Sequence, residues 1–192
     1  MRVIVIGATG TIGSEVAGAL RPRHEVIPVS RQRGPAVDLA DPGSIATLFA
    51  SVGDADAVIC CAASAPLALL EGEDFVAKLR GKLLGQVELV RQAVQHLRDE
   101  GGIVLTSGRI PAGTPGSAGG ALVNAGLEAF VSAAAVEMPR GIRLNVVSPG
   151  WVRESLARLG MDSTEGIPAS RVARAYVEAV EGTAQGRTIT VA

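Results

Sequence analysis

The sequence predicts an α/β protein built on one doubly wound parallel sheet of about seven strands, with helices on both faces. Three observations carry this. Short aliphatic runs alternate with helical segments along the whole chain. Several of those runs lack polar alternation, as strands buried on both faces should. The first run also passes through a glycine-rich turn directly into a helix. With 192 residues and neither an internal repeat nor a linker, the chain reads as a single domain over 1–192.

Six strands can be placed. Val3–Ile6 opens the chain and leads to a helix over Thr11–Leu20, ended by Pro22. Glu25–Val29 is the second strand. A helix over Pro42–Ser51 follows, with Asp41 as N-cap and Pro42 in the first helical position, where its missing N–H costs nothing. Ala57–Cys61 is the third strand. Asp74–Arg98 then places Phe75, Leu79, Leu83, Val87, Val90, Val94 and Leu97 at three- and four-residue steps, a helical stripe. Ile103–Thr106 is a strand, and a helix over Ser117–Met138 stops at Pro139. Strand Ile142–Val147, helix Ala169–Val180 and strand Thr188–Val191 complete the alternation.

Composition excludes several classes. Hydrophobic residues make up 47% and aromatics only 3%, so the core rests on branched aliphatics rather than on ring packing. A net charge of −1, with no run of like charges, argues against a nucleic-acid or membrane surface. The apolar opening before Gly7 is too short for a signal peptide, and 57–70 is too short to span a bilayer. Cys60 and Cys61 are neighbours, so in a strand they point to opposite faces and behave as small hydrophobes. His24 and His96 lie far apart, and no metal-ligand spacing appears. A cytoplasmic protein is expected.

The turn Gly7-Ala8-Thr9-Gly10-Thr11-Ile12-Gly13 has the chemistry of a dinucleotide phosphate site. Gly7 permits the tight turn, Gly10 removes a side chain where a pyrophosphate approaches backbone, and Gly13 allows close helix–strand packing. The helix N-terminus then presents amides and the positive end of its dipole to the phosphates. Its place at the first strand-to-helix turn makes this a Rossmann-type NAD(P)-binding arrangement. At the end of the second strand, an acidic residue would bind the adenosine ribose hydroxyls. Ser30 and Arg31, with Arg33 beyond, stand there instead. A hydroxyl followed by a guanidinium suits a 2′-phosphate, so NADP(H) is expected over NAD(H); the alternative is a solvated basic loop.

Together these features resemble the short-chain dehydrogenase/reductase family over nearly the whole chain. The resemblance rests on GATGTIG, on Val37-Asp38-Leu39, on Val58-Ile59-Cys60-Cys61-Ala62-Ala63, on GGIVLTSG and the long helix from 117, and above all on the stretch from Gly141 to Val152. It implies that Asp38 and Leu39 lie beside the adenine. It places Cys61, Ala62 and Ala63 where the family has a strand ending Asn-Asn-Ala-Gly. Pro149, Gly150, Trp151 and Val152 would cover the nicotinamide. It also implies pairing of the helices at 74–98 and 117–138 into a homodimer or homotetramer; the stripe Ala118, Ala121, Ala125, Ala129 and Ala133 would let a partner helix approach, unless it packs on the protein's own sheet.

The family's chemistry uses a Tyr with a Lys four residues later, a Ser at a strand end and an Asn on the preceding helix. Those positions fall here on Gly120, Asn124, Gly108 and Lys82. Ser107 is one residue from the Ser place. The chain has one tyrosine, Tyr176, and two lysines, Lys78 and Lys82, so no Tyr-x-x-x-Lys exists. Candidates for the vacated roles are Lys82 as a desolvated proton donor, Asn124 as a hydrogen-bonding group and Ser107 as a carbonyl positioner. Each also has a structural reading: a snorkelling surface lysine, a backbone-bonding helix residue, a strand-end satisfier. Trp151 flanks the site or packs in the core. The short stretch from Trp151 to Ile167 predicts an open site. Two functions follow: an NADP(H)-dependent oxidoreductase with an altered proton donor, acting on an unidentified small carbonyl or alcohol, or a catalytically silent NADP(H)-binding sensor or scaffold.

Overall fold

The computed structural model describes residues 1–31, 35–62, 67–70 and 79–192. Its elements in chain order are β1 (Arg2–Ile6), α1 (Thr11–Leu20), β2 (Glu25–Val29), α2 (Pro42–Val52), β3 (Ala55–Cys60), a π-helical turn (Leu79–Leu84) running into α3 (Gly85–His96), and β4 (Leu97–Thr106). They continue with α4 (Ala118–Ala134), a 3-10 turn (Ala135–Glu137), β5 (Arg143–Pro149), α5 (Arg153–Arg158), α6 (Ala169–Glu181) and β6 (Thr188–Val191). The six strands form one parallel sheet in the order β2-β1-β3-β4-β5-β6.

Among the described residues the sheet therefore has six strands, not the expected seven. Among the described residues, the edge beyond β2 carries an isolated bridge between Ser30 and Ala36. Residues 30–41 alone separate β2 from α2, and Pro35 brings no N–H to a ladder.

Both faces of the sheet are buried, which explains why the strands do not alternate. Ile4, Ile6, Val58, Cys60, Ile103, Leu105, Leu144 and Val146 point to one core, closed by α2, α3 and α4. Val3, Val5, Ala57, Ile59, Val104 and Val147 point to the other, closed by α1 and α6. Each large aliphatic side chain so buried is worth roughly 1.5–3 kcal/mol. The adjacent cysteines divide between the two faces, Cys60 in the first core and Cys61 against the second.

Local signals place most boundaries. Asp41 caps α2, its Oδ1 accepting from the Gly43 amide at 2.9 Å. Two helices end earlier than the stripes suggest. The helix expected to Arg98 stops at His96, and Leu97 already pairs with Ala55 as strand. An apolar residue at the junction satisfies either period, so the stripe cannot mark the boundary. The start expected for that helix, residues 74–78, lies outside the described residues. The helix expected to Met138 becomes a 3-10 turn after Ala134.

By length and apolarity Ala118–Glu137 would pass for a membrane span. It is instead a core helix, with Gly119, Gly120, Val123, Asn124, Leu127 and Val131 buried against the sheet. The five stripe alanines of α4 are all exposed, as are Leu122 and Val136, so this stripe does not pack on the protein's own sheet.

The order reverses at β1. From it the chain winds outward to β2, then returns to β3 on the other side. This leaves a crevice beyond the carboxyl ends of β1 and β3, the place where ligands bind in open α/β sheets.

Candidate functional site

The glycine turn sits at that crevice. Gly7 has φ +82°, and its amide and that of Ala8 donate to Val29 O at 2.8 and 3.1 Å. A Cβ at Gly13 would lie 2.1 Å from Gly7 O, so this glycine is required by the turn itself rather than by helix–strand packing. Gly10 is the N-cap of α1. It brings no side-chain cap, and the first turn holds no acidic residue. Amides at this terminus have no partner within the helix. A backbone cradle that side chains cannot enter, with an uncapped helix terminus facing out, fits a pyrophosphate. Thr9 is exposed, while Thr11 and Ile12 line the adjoining cleft.

At the adenosine side Ser30 is buried and Arg31 exposed; Arg33 lies outside the described residues. Asp38 is exposed and its Oδ1 accepts from the Ala40 amide at 3.0 Å, while Leu39 places its side chain in the first core. Cys61 lines the cleft, and its amide donates to Ile6 O at 2.8 Å, joining the ends of β3 and β1. Ala62 packs against the first core, and Ala63 lies outside the described residues.

The three catalytic candidates come together. Lys82, in the π-helical turn, is 7% exposed and not a surface lysine. Its Nζ donates to Asn124 Oδ1 at 2.9 Å and to Ser107 O at 3.3 Å. Gln86 holds the turn in place: its amide donates to Lys82 O and Thr106 O, and its Oε1 accepts from the Thr106 amide. Burial pushes the Lys82 ammonium down to about 8.

Lys82 and Asn124, which the resemblance aligns with the family's Asn and Lys, face each other across the cleft floor. Accepting from Lys82 turns the Asn124 carbonyl one way and its Nδ2 the other. A Cβ at Gly108 would lie 3.5 Å from that nitrogen. A Cβ at Gly120 would come within 2.7 Å of Ile110 Cδ1, the movable end of a side chain.

Sequence reasoning missed Glu128. Its Oε1 accepts from both Ser107 Oγ and Ser148 Oγ at 2.7 Å. The Ser107 hydroxyl is therefore committed to a carboxylate, and only its backbone oxygen reaches Lys82. The available signal was spacing, since Glu128 follows Asn124 by one helical turn on the same face.

Tyr176 does not replace the missing phenol. It is fully buried in the second core, hydrogen-bonded to Thr106 Oγ1 at 2.6 Å, and Thr106 Oγ1 in turn donates to Cys60 O. Burial pushes its hydroxyl well above the ordinary range.

The cleft between these groups and the β5 end has a volume of about 400 Å³. Pro149, Gly150, Trp151 and Val152 form one wall, tied back by Gly150 N–H donating to Val191 O and Ile167 N–H donating to Trp151 O, each at 2.9 Å. Trp151 is 36% exposed and lines the cleft, which settles its place at the site.

A doubly wound parallel sheet with a glycine turn at its switch point defines a dinucleotide-binding α/β protein. Comparison with known proteins takes this further. The family model described as enoyl-(acyl carrier protein) reductase matches residues 14–185. The crystal structure of the protein lin1944 from Listeria innocua is 35% identical, with a TM-score of 0.94 and both chains covered in full. A small-chain dehydrogenase solved in complex with NADPH is 27% identical, with a TM-score of 0.87 over 100% of this chain and 96% of that one. Another small-chain dehydrogenase is 29% identical, with a TM-score of 0.85 over 100% and 95%. Comparison with curated proteins gave no match. The chain belongs to the short-chain dehydrogenase/reductase family, oxidoreductases that bind a nicotinamide cofactor.

Proposed function

We propose that the protein is an NADP(H)-dependent oxidoreductase that interconverts a carbonyl compound and its alcohol, with Lys82 as the proton donor in place of the absent tyrosine. The observation that carries this is the Lys82 ammonium, buried at the cleft floor and held by Asn124 and Ser107 O. When bound, the nicotinamide supplies or accepts the hydride. The turn over Gly7–Gly13 and the α1 terminus would hold the pyrophosphate, and Pro149–Val152 would cover the nicotinamide.

The proton count suits the role. An ammonium has three N–H bonds, and two are engaged. The third is the one to transfer to a carbonyl oxygen. The neutral amine left behind still has two N–H bonds, enough to keep both contacts. Donation therefore breaks nothing in the protein. The test is NADPH oxidation over a panel of aldehydes and ketones, with wild type beside Lys82→Met. Turnover that survives the substitution removes Lys82 as donor. Tight NADPH binding without turnover on any substrate supports the second reading, a silent cofactor-binding protein, which the lack of any Tyr-x-x-x-Lys pair favours.

Preference for NADP(H) rests on Ser30 and Arg31 at the end of β2. A guanidinium can give a 2′-phosphate two parallel charge-assisted hydrogen bonds, and an aspartate there would repel it. Arg31→Asp is expected to weaken NADPH binding by about 10- to 100-fold and to place NADH ahead. Fluorescence titration with both nucleotides checks this; equal wild-type affinities refute it.

The exposed alanine stripe of α4, with Leu122 50% and Val136 88% exposed, further supports a homodimer or homotetramer built on α3 and α4. Light scattering should give two or four times the chain mass, and Ala133→Arg with Leu122→Arg should lower it. A wild-type monomer at micromolar concentration rules the assembly out.

A further inference from the structure

The cleft has a charge and polarity pattern that the carbonyl reading does not use. Among the described residues it is lined by two cations, Lys82 and Arg109, and by no aspartate or glutamate. Arg109 is exposed, and its amide is fixed by donating to Pro149 O at 2.8 Å. Arg2, Arg23, Arg91, Arg98 and Arg140 pair with carboxylates. Among the described residues Arg109, like several other arginines, has no such partner, and it is the arginine that lines the cleft.

The apolar side is equally uneven. Leu67, Trp151, Leu159 and Met161 are 45%, 36%, 71% and 38% exposed, and all four line this one cleft. Leaving large side chains in water forfeits about 25 cal/mol for each Å². Singly scattered they need no explanation, but grouped around a concave site they mark a ligand surface. Beneath them, the Asn124 amide places a neutral donor beside the ammonium.

We infer that the substrate is an apolar carbonyl compound that also carries a carboxylate: its carbonyl oxygen on Lys82 Nζ and Asn124 Nδ2, its carboxylate on Arg109, and its hydrocarbon body on Leu67, Trp151, Leu159 and Met161. This rests on the oxidoreductase reading for the carbonyl, and on charge complementarity alone for the carboxylate. A planar guanidinium matches a carboxylate in two parallel hydrogen bonds, which a neutral chain end cannot supply.

Trp151 is the only tryptophan and lines the cleft, so its fluorescence reports occupancy without turnover. The full chain, with and without NADP+, is titrated with octanoate and with 1-octanol. Octanoate should bind about tenfold more tightly, and Arg109→Gln should bring the two to within about twofold. Equal affinities in wild type, or an octanoate preference that survives Arg109→Gln, overturns the inference. A second arm compares 2-oxooctanoate with 2-octanone as NADPH-dependent substrates. Octanoate preference without turnover of either ketone leaves the ligand class standing and removes the oxidoreductase reading. Equal kcat/KM for the two ketones keeps that reading and removes the carboxylate.

Discussion

Lys82→Met is expected to lower carbonyl reduction by about 10²–10⁴-fold, the usual worth of a positioned general acid. The same substitution changes stability in a way that depends on pH. Lys82 is buried, and desolvation lowers it from 10.5 to about 8. Between those values the unfolded chain holds a proton that the folded chain has released. Wild-type stability must therefore rise with pH across this window, and the contribution is lost as pH falls through about 8. Methionine has nearly the same shape and no proton. The stability difference, wild type minus Lys82→Met, should climb by about 3 kcal/mol from pH 8 to 10.5. Urea unfolding of both proteins at pH 7, 9 and 10 measures it; a flat difference means the amine is not desolvated.

The rate should follow the same group. Reduction needs the ammonium, so wild-type kcat should fall as pH rises through about 8, and alcohol oxidation should rise over the same range. Among the described residues, the other titratable groups facing this region include Cys60, Cys61 and Glu128, and burial raises the Cys61 thiol well above its usual range. The Cys60 thiol is pushed up to about 12 by burial and stays neutral throughout. Glu128 is held by Ser107 and Ser148. A reduction rate level between pH 7 and 9.5 would show that some other group donates.

Gly13→Ala carries the other large effect. The added Cβ would lie 2.1 Å from Gly7 O and 2.7 Å from Gly7 C, and both are backbone atoms of the same turn. No rotamer change can relieve that overlap, so the turn or the start of α1 must move. Overpacking of this kind costs about 1–3 kcal/mol, occasionally more. The displaced amides should weaken NADPH binding by at least about tenfold. Gly18→Ala is the internal control. It lies on the exposed side of the same helix with nothing within 4 Å, and should be stabilising by up to about 1 kcal/mol. Denaturant unfolding and NADPH titration of the pair decide the matter. Equal behaviour of the two variants would deny the turn its role.

Much of the frame is legible in the sequence alone. The glycine turn, the Asp41 cap, the division of Cys60 and Cys61 between faces, and the loss of the Tyr-x-x-x-Lys pair all follow from nearest neighbours or from inventory. Boundaries were less legible. Leu97 fits the helical stripe that precedes it and the strand it joins. The π-helical turn at Leu79–Leu84 has no local signature separating it from an ordinary helix. The expected count of about seven strands came with only six placed runs, and six are found among the described residues.

The site divides in the same way. Lys82, Ser107 and Asn124 could each be named as a candidate, but every one had an equally good structural reading. Residues 82, 107 and 124 sit on three separate elements, and nothing along the chain sets the distance between them. Only the docking of the π-helical turn and α4 over the end of β4 brought Nζ within 2.9 Å of Oδ1 and gave the Ser107 hydroxyl to Glu128. Backbone geometry and residue chemistry act over a few neighbours and so can be read in order. Desolvation and hydrogen-bond partnership depend on what the fold packs alongside, and a linear chain does not contain that information in readable form.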